Sequence, residues 1–476
     1  MNNDHGNRPL VERSLEDARP TILWTDRPDR PTPSDPLVGA RRSDLAIVGA
    51  GFTGLWAAVL AAEAEPGRSV TVVEAETVGF GASARNGGFV SASLTHGLAN
   101  GLRHWPDEIE QLERLGRQNL AELCETIERH EISCGLERSG DLDVATAEWQ
   151  VPELAAAAAR REAHGHRVQL LDQSQVRSRI ASPTYLAGLF NPDTVVMVDP
   201  ARLCWGLLRV AESLGVTIYE RSPVQHIKAA GRDPGSPLIV ATPNGSVTAD
   251  RVVVATNAYR GPVRTPTRFV IPVYDHVLAT EPLSDQQMVS IGWEGREGVS
   301  DVANQFHYYR LTVDNRILWG GYDASYHFGG RVDPRLDQSD DTHELLADHF
   351  FTTFPQLEGV RFTHRWGGPI GTSTKFSATW GLSKRGRMVT VGGYTGLGVG
   401  ASRFGAQTAL DLVDRISTER TELQMVRQRP LPFPPEPVRW AGVALTRRAI
   451  QRADDNEGRR GLWLRFLDRL GVGFDS

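Results

Sequence analysis

The chain has 476 residues, 40% of them hydrophobic and 23% charged, with a mean hydropathy of −0.31. That length gives two or three compact units and that balance excludes wholesale disorder. A formal charge of −6 provides no basic field for phosphates, which excludes nucleic acid as the main partner.

From Met1 to about Arg42 the sequence is polar and rich in Pro, Asp and Arg, and reads as an extended arm without the apolar run of a secretion signal. Asp44–Val48 is a short apolar run ending in glycine, the pattern of a buried parallel strand. A helix follows over Leu55–Glu65, stopped by Pro66-Gly67, and Val70–Glu74 reads as a second strand. Helices are expected over about Trp105–His130 and Pro152–His164. The α/β pattern returns with a helix near Ala201–Leu214 and strands at Val216–Glu220, Val224–Lys228, Leu238–Thr242 and Arg251–Ala255. Residues 266–330 and 359–384 favour strands and read as a separate sheet inserted between nucleotide-binding segments. Met388–Val391, a glycine-rich turn and a helix from about Ser402 to Ile416 close the compact part.

The chain thus divides into a discontinuous nucleotide-binding domain (43–100, 195–262 and 385–430), a substrate domain (101–194 and 263–384) and a helical tail (431–476). The tail carries Leu462, Trp463, Phe466, Leu467 and Leu470 at helical spacing and is expected to pack on the body. No apolar run reaches the roughly 18 residues of a spanning helix. Cys124, Cys134 and Cys204 form neither a CxxC pair nor a metal-ligand spacing, which fits a reduced cytoplasm and no metal.

Gly49, Gly51 and Gly54 make GxGxxG between a strand and a helix, and Glu74 falls 20 residues after Gly54 at the end of the next strand. The first glycine permits a tight turn, the second lets the backbone approach a pyrophosphate, and the third lets helix and strand pack closely. Phe52 and Thr53 complete the turn at a helix N-terminus, which favours an anion. Glu74, with Ala75 beside it, is placed to accept hydrogen bonds from ribose hydroxyls. After Glu74 comes Gly81-Ala82-Ser83-Ala84-Arg85-Asn86-Gly87-Gly88, a loop that can lie along an extended cofactor and suits FAD better than NAD.

These motifs, with Ala255-Thr256-Asn257-Ala258-Tyr259 and the run Gly392–Gly400, resemble the D-amino-acid oxidase-like family of FAD-dependent oxidoreductases, in particular its γ-glutamylputrescine-oxidase-like branch. The resemblance spans about Asp44 to Ile416. It implies an α/β, α+β two-domain flavoprotein: a Rossmann-like FAD domain with an inserted, mainly antiparallel substrate sheet. By that resemblance Gly81, Ala82, Ser83, Arg85, Asn86, Gly87 and Gly88 lie along the flavin and its pyrophosphate, the Val224 backbone meets the adenine, and Thr256 and Asn257 come next to FAD. Gly393 and Tyr394 belong to the same stretch. Thr395, Gly396, Leu397 and Gly398 open the last helix, whose N–H groups suit the negative charge of a reduced flavin.

Trp366, Tyr308, Tyr309, Tyr322, Trp319, His276 and His307 form an aromatic and imidazole group in the inserted sheet; of these Trp366, Tyr309, His276, His307 and Tyr322 are the catalytic candidates. A desolvating cage would hold an amine in its neutral form. The expected reaction is oxidation of a small primary or secondary amine by hydride transfer to flavin N5, giving an imine that hydrolyses to a carbonyl, with O2 as acceptor and hydrogen peroxide as product. An α-amino acid or alcohol as substrate, or a silent FAD-binding subunit, are the alternatives. Family members that attach flavin covalently use a Cys or a His, and the matching stretches Pro369–Thr372 and Ser83–Asn86 contain neither, so FAD is expected to be non-covalent. The strand Arg316–Tyr322 lacks the lysine that sarcosine-oxidase-like members place over the flavin, and Arg310 or Arg365 is available for an acidic group.

Overall fold

The computed structural model describes residues 8–233, 235–261 and 268–472. Two eight-stranded sheets organise it. The first runs Thr379–Ser383, Met388–Gly392, Gly245–Val254, Gly39–Val48, Val70–Val73, Thr217–Tyr219, with His226–Ala229 and Leu238–Ala241 added antiparallel beside Gly245–Val254. Its centre is parallel, as the βαβ sequence pattern demands. Leu45, Ile47, Val70 and Val72 point to one face, under the packed helices Phe52–Ala64, Pro200–Ser213 and Gly398–Asp414. Ala46, Val48 and Val73 point to the other, against Leu238 and Val240. Burial of both faces explains the near-continuous apolar runs of these strands.

The second sheet runs Phe362–Ser373, Val270–Thr280, Ile317–Gly321, His307–Leu311, Gly298–Asp301, Asp141–Ala145, Ala187–Asn191, Gln169–Leu171. It is antiparallel except between Gly298–Asp301 and Asp141–Ala145. Period-two alternation gives this sheet two faces. Val277, Ala279, Leu318 and Trp366 join the core of the nucleotide domain, whereas Leu278, Tyr309, Leu311, Ile317 and Trp319 form a second core with Phe350 and Phe354 of the helix Asp340–Thr353 and the turn after it. The first face is called the near face below.

Three boundaries differ from the sequence expectation. Thr379–Ser383 pairs with Met388–Gly392 in the nucleotide sheet, so the inserted sheet ends at Ser373. The segment 101–194 is divided: the helix Ile109–Arg129 packs on Gly398–Asp414, and only its three strands join the substrate sheet. The arm is not wholly extended, because Arg8–Leu15 is a helix packed on Asp340–Thr353. Farther along the arm, Trp24 donates to the Asn86 carbonyl at 2.9 Å. The tail forms the helices Val438–Asp455 and Leu462–Arg469, tied to the body by Asp454, which accepts from the main chain of Asn304 at 3.0 Å and Gln305 at 2.9 Å. No helix among the described residues is long and apolar enough to cross a membrane.

Candidate cofactor and substrate site

The strand Gly39–Val48 ends in Gly49, whose φ of +102° only glycine adopts freely; a Cβ there would stand 2.8 Å from the Ala255 carbonyl oxygen. Gly51 faces Ser83, and a Cβ at 51 would lie 2.8 Å from Ser83 Oγ. Ser83 Oγ accepts from the Phe52 N–H at 2.9 Å, taking one of the first N–H groups that have no partner within their own helix. At Gly54 a Cβ would stand 3.0 Å from the Gly49 carbonyl carbon and closer still to its oxygen, so strand and helix meet there by direct backbone contact. Glu74 stands beyond Val73 and accepts from Ala50 N–H at 2.6 Å and Glu76 N–H at 2.9 Å. Its carboxylate has further acceptor positions. Burial raises its pKa and those backbone N–H groups oppose the rise. Ala75 follows it, exposed, and Val224, like Tyr219, packs against the core on that side of the same sheet.

The loop from Gly81 to Gly88 is held at several points. Gly81 packs on Tyr259, and Asn86 Nδ2 donates to the carbonyls of Ala82 at 2.9 Å and Ser83 at 2.8 Å. Asn86 Oδ1 accepts from Gly88 N–H at 2.8 Å. Arg85 is buried, pairs with Asp337, and donates to the carbonyls of Phe80 at 2.9 Å and Gly367 at 3.1 Å. A Cβ on Gly87 would stand 2.8 Å from the Tyr308 ring, so the loop lies flat against the near face of the substrate sheet.

A third segment arrives from the end of the nucleotide sheet. Asn257, with φ of +45°, accepts through Oδ1 from Gly393 N–H at 2.8 Å, and Thr256 carries the turn that leads to Tyr259. Tyr394 accepts from Thr53 Oγ1 at 2.8 Å, joining the glycine run to the fingerprint helix. Thr395 has φ of +50°, a strained conformation for a β-branched residue, and is fixed by bonds from its N–H to Gly371 O at 2.9 Å and from its hydroxyl to Gly393 O at 3.0 Å. Gly396 and Leu397 then deliver the chain to the N-terminus of Gly398–Asp414. His96 lies 4.0 Å from where a Cβ on Gly396 would be, and its buried Nδ1 has no partner. Burial holds this imidazole near a pKa of about 4, against a raising contribution from the Thr395 backbone.

The five catalytic candidates separate. Tyr309 and His276 lie on the far face, with Tyr309 4.4 Å from the Trp319 ring and His276 5.3 Å from the His343 ring. His307 and Tyr322 stack there too, both near His349, and His307 Nδ1 is bonded to Asp301 at 2.6 Å. The thickness of the sheet keeps these four from the fingerprint loop. Trp366 is on the near face but 1% exposed, with its indole N–H given to the Arg85 carbonyl at 2.8 Å, so it supports the loop from behind. Tyr308 is the aromatic candidate that meets the near face partly exposed, and its hydroxyl donates to Asp275 Oδ2 at 2.6 Å. Asp275, Asp337, His96 and Trp24 were not singled out from sequence. Alternation along Val273, Asp275 and Val277 carries a signal for Asp275, readable once the near face is known.

Comparison with known proteins matches this geometry. The profile of the family described as FAD dependent oxidoreductase (DAO) covers residues 44–412. The gamma-glutamylputrescine oxidoreductase of Escherichia coli (strain K12) is 34% identical over 340 residues, 71% of this chain and 75% of that one. A probable oxidoreductase, OrdL, of Rhizobium meliloti (strain 1021) is 29% identical over 441 residues, 90% of this chain and 95% of that one. Among solved structures, glycine oxidase from Geobacillus kaustophilus superposes with a TM-score of 0.67 at 23% identity, covering 80% of this chain and 96% of the other.

Proposed function

The chain belongs to the family of FAD-dependent oxidoreductases, and from that premise we propose that it oxidises the C–N bond of a small primary or secondary amine, with O2 as acceptor. FAD fits the residues present: a glycine turn a Cβ would fill, a helix N-terminus, an acid at the end of the second strand, and beside Gly396 an imidazole whose buried Nδ1 has no partner. Ser83–Asn86 and Pro369–Thr372 offer it no Cys or His, which leaves hydrogen bonds and packing to hold it. Bound FAD supplies a two-electron acceptor for the hydride on the amine's α-carbon.

The chain's own residues have these roles in the proposal. Gly49, Gly51, Phe52, Thr53, Gly54 and Ser83 receive the pyrophosphate, Glu74 and Ala75 the ribose, and the Val224 backbone the adenine. Gly81, Ala82, Arg85, Asn86, Gly87 and Gly88 lie along the cofactor, with Thr256, Asn257 and Gly393–Gly398 at its far end. Tyr308 and the near face wall the substrate side, exclude water and orient the amine. Trp366 positions the loop rather than touching substrate, and we assign no contact to Tyr309, His276, His307 or Tyr322.

The observation that carries this reading is the junction itself: the Arg85–Gly88 loop, led from the nucleotide fingerprint, lies against Tyr308 of the other sheet. The name of the 34%-identical relative supports an amine as substrate. Denaturing the purified protein should leave its flavin in solution as FAD, and turnover with an amine should give a carbonyl compound and peroxide. A yellow pellet would refute non-covalent binding, and the absence of carbonyl product from every amine tried would refute the reaction.

A further inference from the structure

The near face carries a carboxylate whose hydrogen bonds come only from uncharged groups. Asp275 alternates with Val273 and Val277, and Val277 belongs to the nucleotide-side core. Its Oδ2 accepts from Tyr308 OH at 2.6 Å and its Oδ1 accepts from the His276 main-chain N–H at 2.9 Å. A carboxylate offers about four acceptor positions, so about two are left for a ligand. Tyr308, which holds it, packs on Gly87 of the cofactor loop, and both Asp275 and Tyr308 are partly exposed. A desolvated carboxylate served by neutral donors is relieved by a cation.

The arginines that could anchor a substrate carboxylate are engaged elsewhere. Arg85 pairs with Asp337 and two carbonyls. Arg310 is 1% exposed, gives its guanidinium to the carbonyls of Val198 at 2.8 Å and Leu311 at 3.0 Å, and has Glu137 at 3.8 Å. Arg365 alternates onto the far face and pairs with Asp340 at 2.6 Å. An α-amino acid would bring its negative group next to Asp275 with no guanidinium turned toward it.

We propose that Asp275 sets substrate specificity by receiving the ammonium of an alkyl amine that needs no carboxylate anchor, such as a diamine or the amino end of a longer chain. The inference rests on the amine reading above and names the substrate class for it. Tyr308 fixes the carboxylate's orientation, and the aliphatic part of the ligand lies along the near face. Asp275 binds substrate here, and burial of the pair, which disfavours both charges, eases the passage of the ammonium proton to the carboxylate oxygen.

The test uses the flavin-loaded protein and three probes that share a tert-butyl group and lack an oxidisable α-hydrogen: tert-butylammonium, tert-butanol and pivalate. Binding is read from the perturbed flavin spectrum and by calorimetry. The expected order is cation first, neutral next and anion last. In Asp275→Asn the cation should weaken by about tenfold to hundredfold, the worth of a charged hydrogen bond, while the alcohol is unchanged and Asp275→Glu recovers part of the loss. Equal cation binding by wild type and Asp275→Asn, or pivalate binding tighter than the ammonium, would overturn the proposal. The charge series on the unaltered protein decides the matter even where a variant loses flavin. If the cation order holds while no amine reduces the flavin, the reaction assignment fails and the recognition stands; reduction by amines with no dependence on Asp275 gives the converse.

Discussion

Gly51 and Gly54 belong to one motif, yet their surroundings differ, and an alanine at each should separate the proposed hold on the cofactor from the hold on the fold. At Gly54 a methyl group would stand 3.0 Å from the Gly49 carbonyl carbon, with the oxygen nearer. Both are backbone, Gly49 just after the strand Gly39–Val48 and Gly54 within the helix Phe52–Ala64, so neither can swing aside, and the cost should lie at or above the upper end of the roughly 1–3 kcal/mol of overpacking. At Gly51 the methyl would meet Ser83 Oγ at 2.8 Å, a side-chain hydroxyl that can rotate away. The loss there is the bond from Phe52 N–H, about 1 kcal/mol, but the methyl remains where the proposed site brings the pyrophosphate. Thermal unfolding of the flavin-free proteins, beside flavin content and FAD titration, measures both effects. Gly54→Ala should unfold well below wild type, whereas Gly51→Ala should unfold within a few degrees of it and take up FAD at least tenfold more weakly. A Gly51→Ala protein that retains FAD as wild type does, or a Gly54→Ala protein of unchanged stability, would show that the two glycines do not divide the work in this way.

Trp366→Phe should cost about 1–3 kcal/mol, since the buried Arg85 carbonyl loses its donor, and Trp366→Ala about 3–5 kcal/mol; chemical denaturation measures both, and a silent Trp366→Ala would remove its supporting role. Arg85→Met should release the cofactor loop from Asp337 and Gly367 and expose it to limited proteolysis, whereas equal cleavage in wild type would show that the pair does not hold the loop. Burial raises the Asp275 carboxyl to about 6, with Tyr308, the His276 and Gly321 backbone groups and His307 opposing the rise. Affinity for tert-butylammonium should therefore be full above that value and decline as pH falls through it, because the protonated acid carries no charge; a flat profile from pH about 5 to 8 would contradict this.

The nucleotide half was legible because its physics is local. A tight turn, a close backbone approach and a spaced acid all fall within Ala46–Glu74, and the structure brings Gly49, Gly51, Gly54 and Glu74 together at one strand end. The substrate half was not, for a reason visible in Val270–Thr280. That strand is buried on both sides, against the nucleotide domain on one and Asp340–Thr353 on the other, so no polar face marks the outside. His276 and Asp275 are neighbours in sequence and opposite in space, and the choice between them needs the tertiary contact that tells which set meets the cofactor loop. Thr379–Ser383 was misplaced similarly: a short strand pairs by its partner, Met388–Gly392, and not by its own composition.

Anaerobic absorbance titration of the purified protein decides whether its flavin is reduced by an amine held on the near face. The series should run from putrescine and its γ-glutamyl conjugate through sarcosine to α-amino acids, with air admitted at the end. Amines with no carboxylate beside the reacting nitrogen should bleach the flavin band, and air should restore it with formation of peroxide. A yellow spectrum that every amine leaves unchanged, or bleaching confined to α-amino acids, would contradict it.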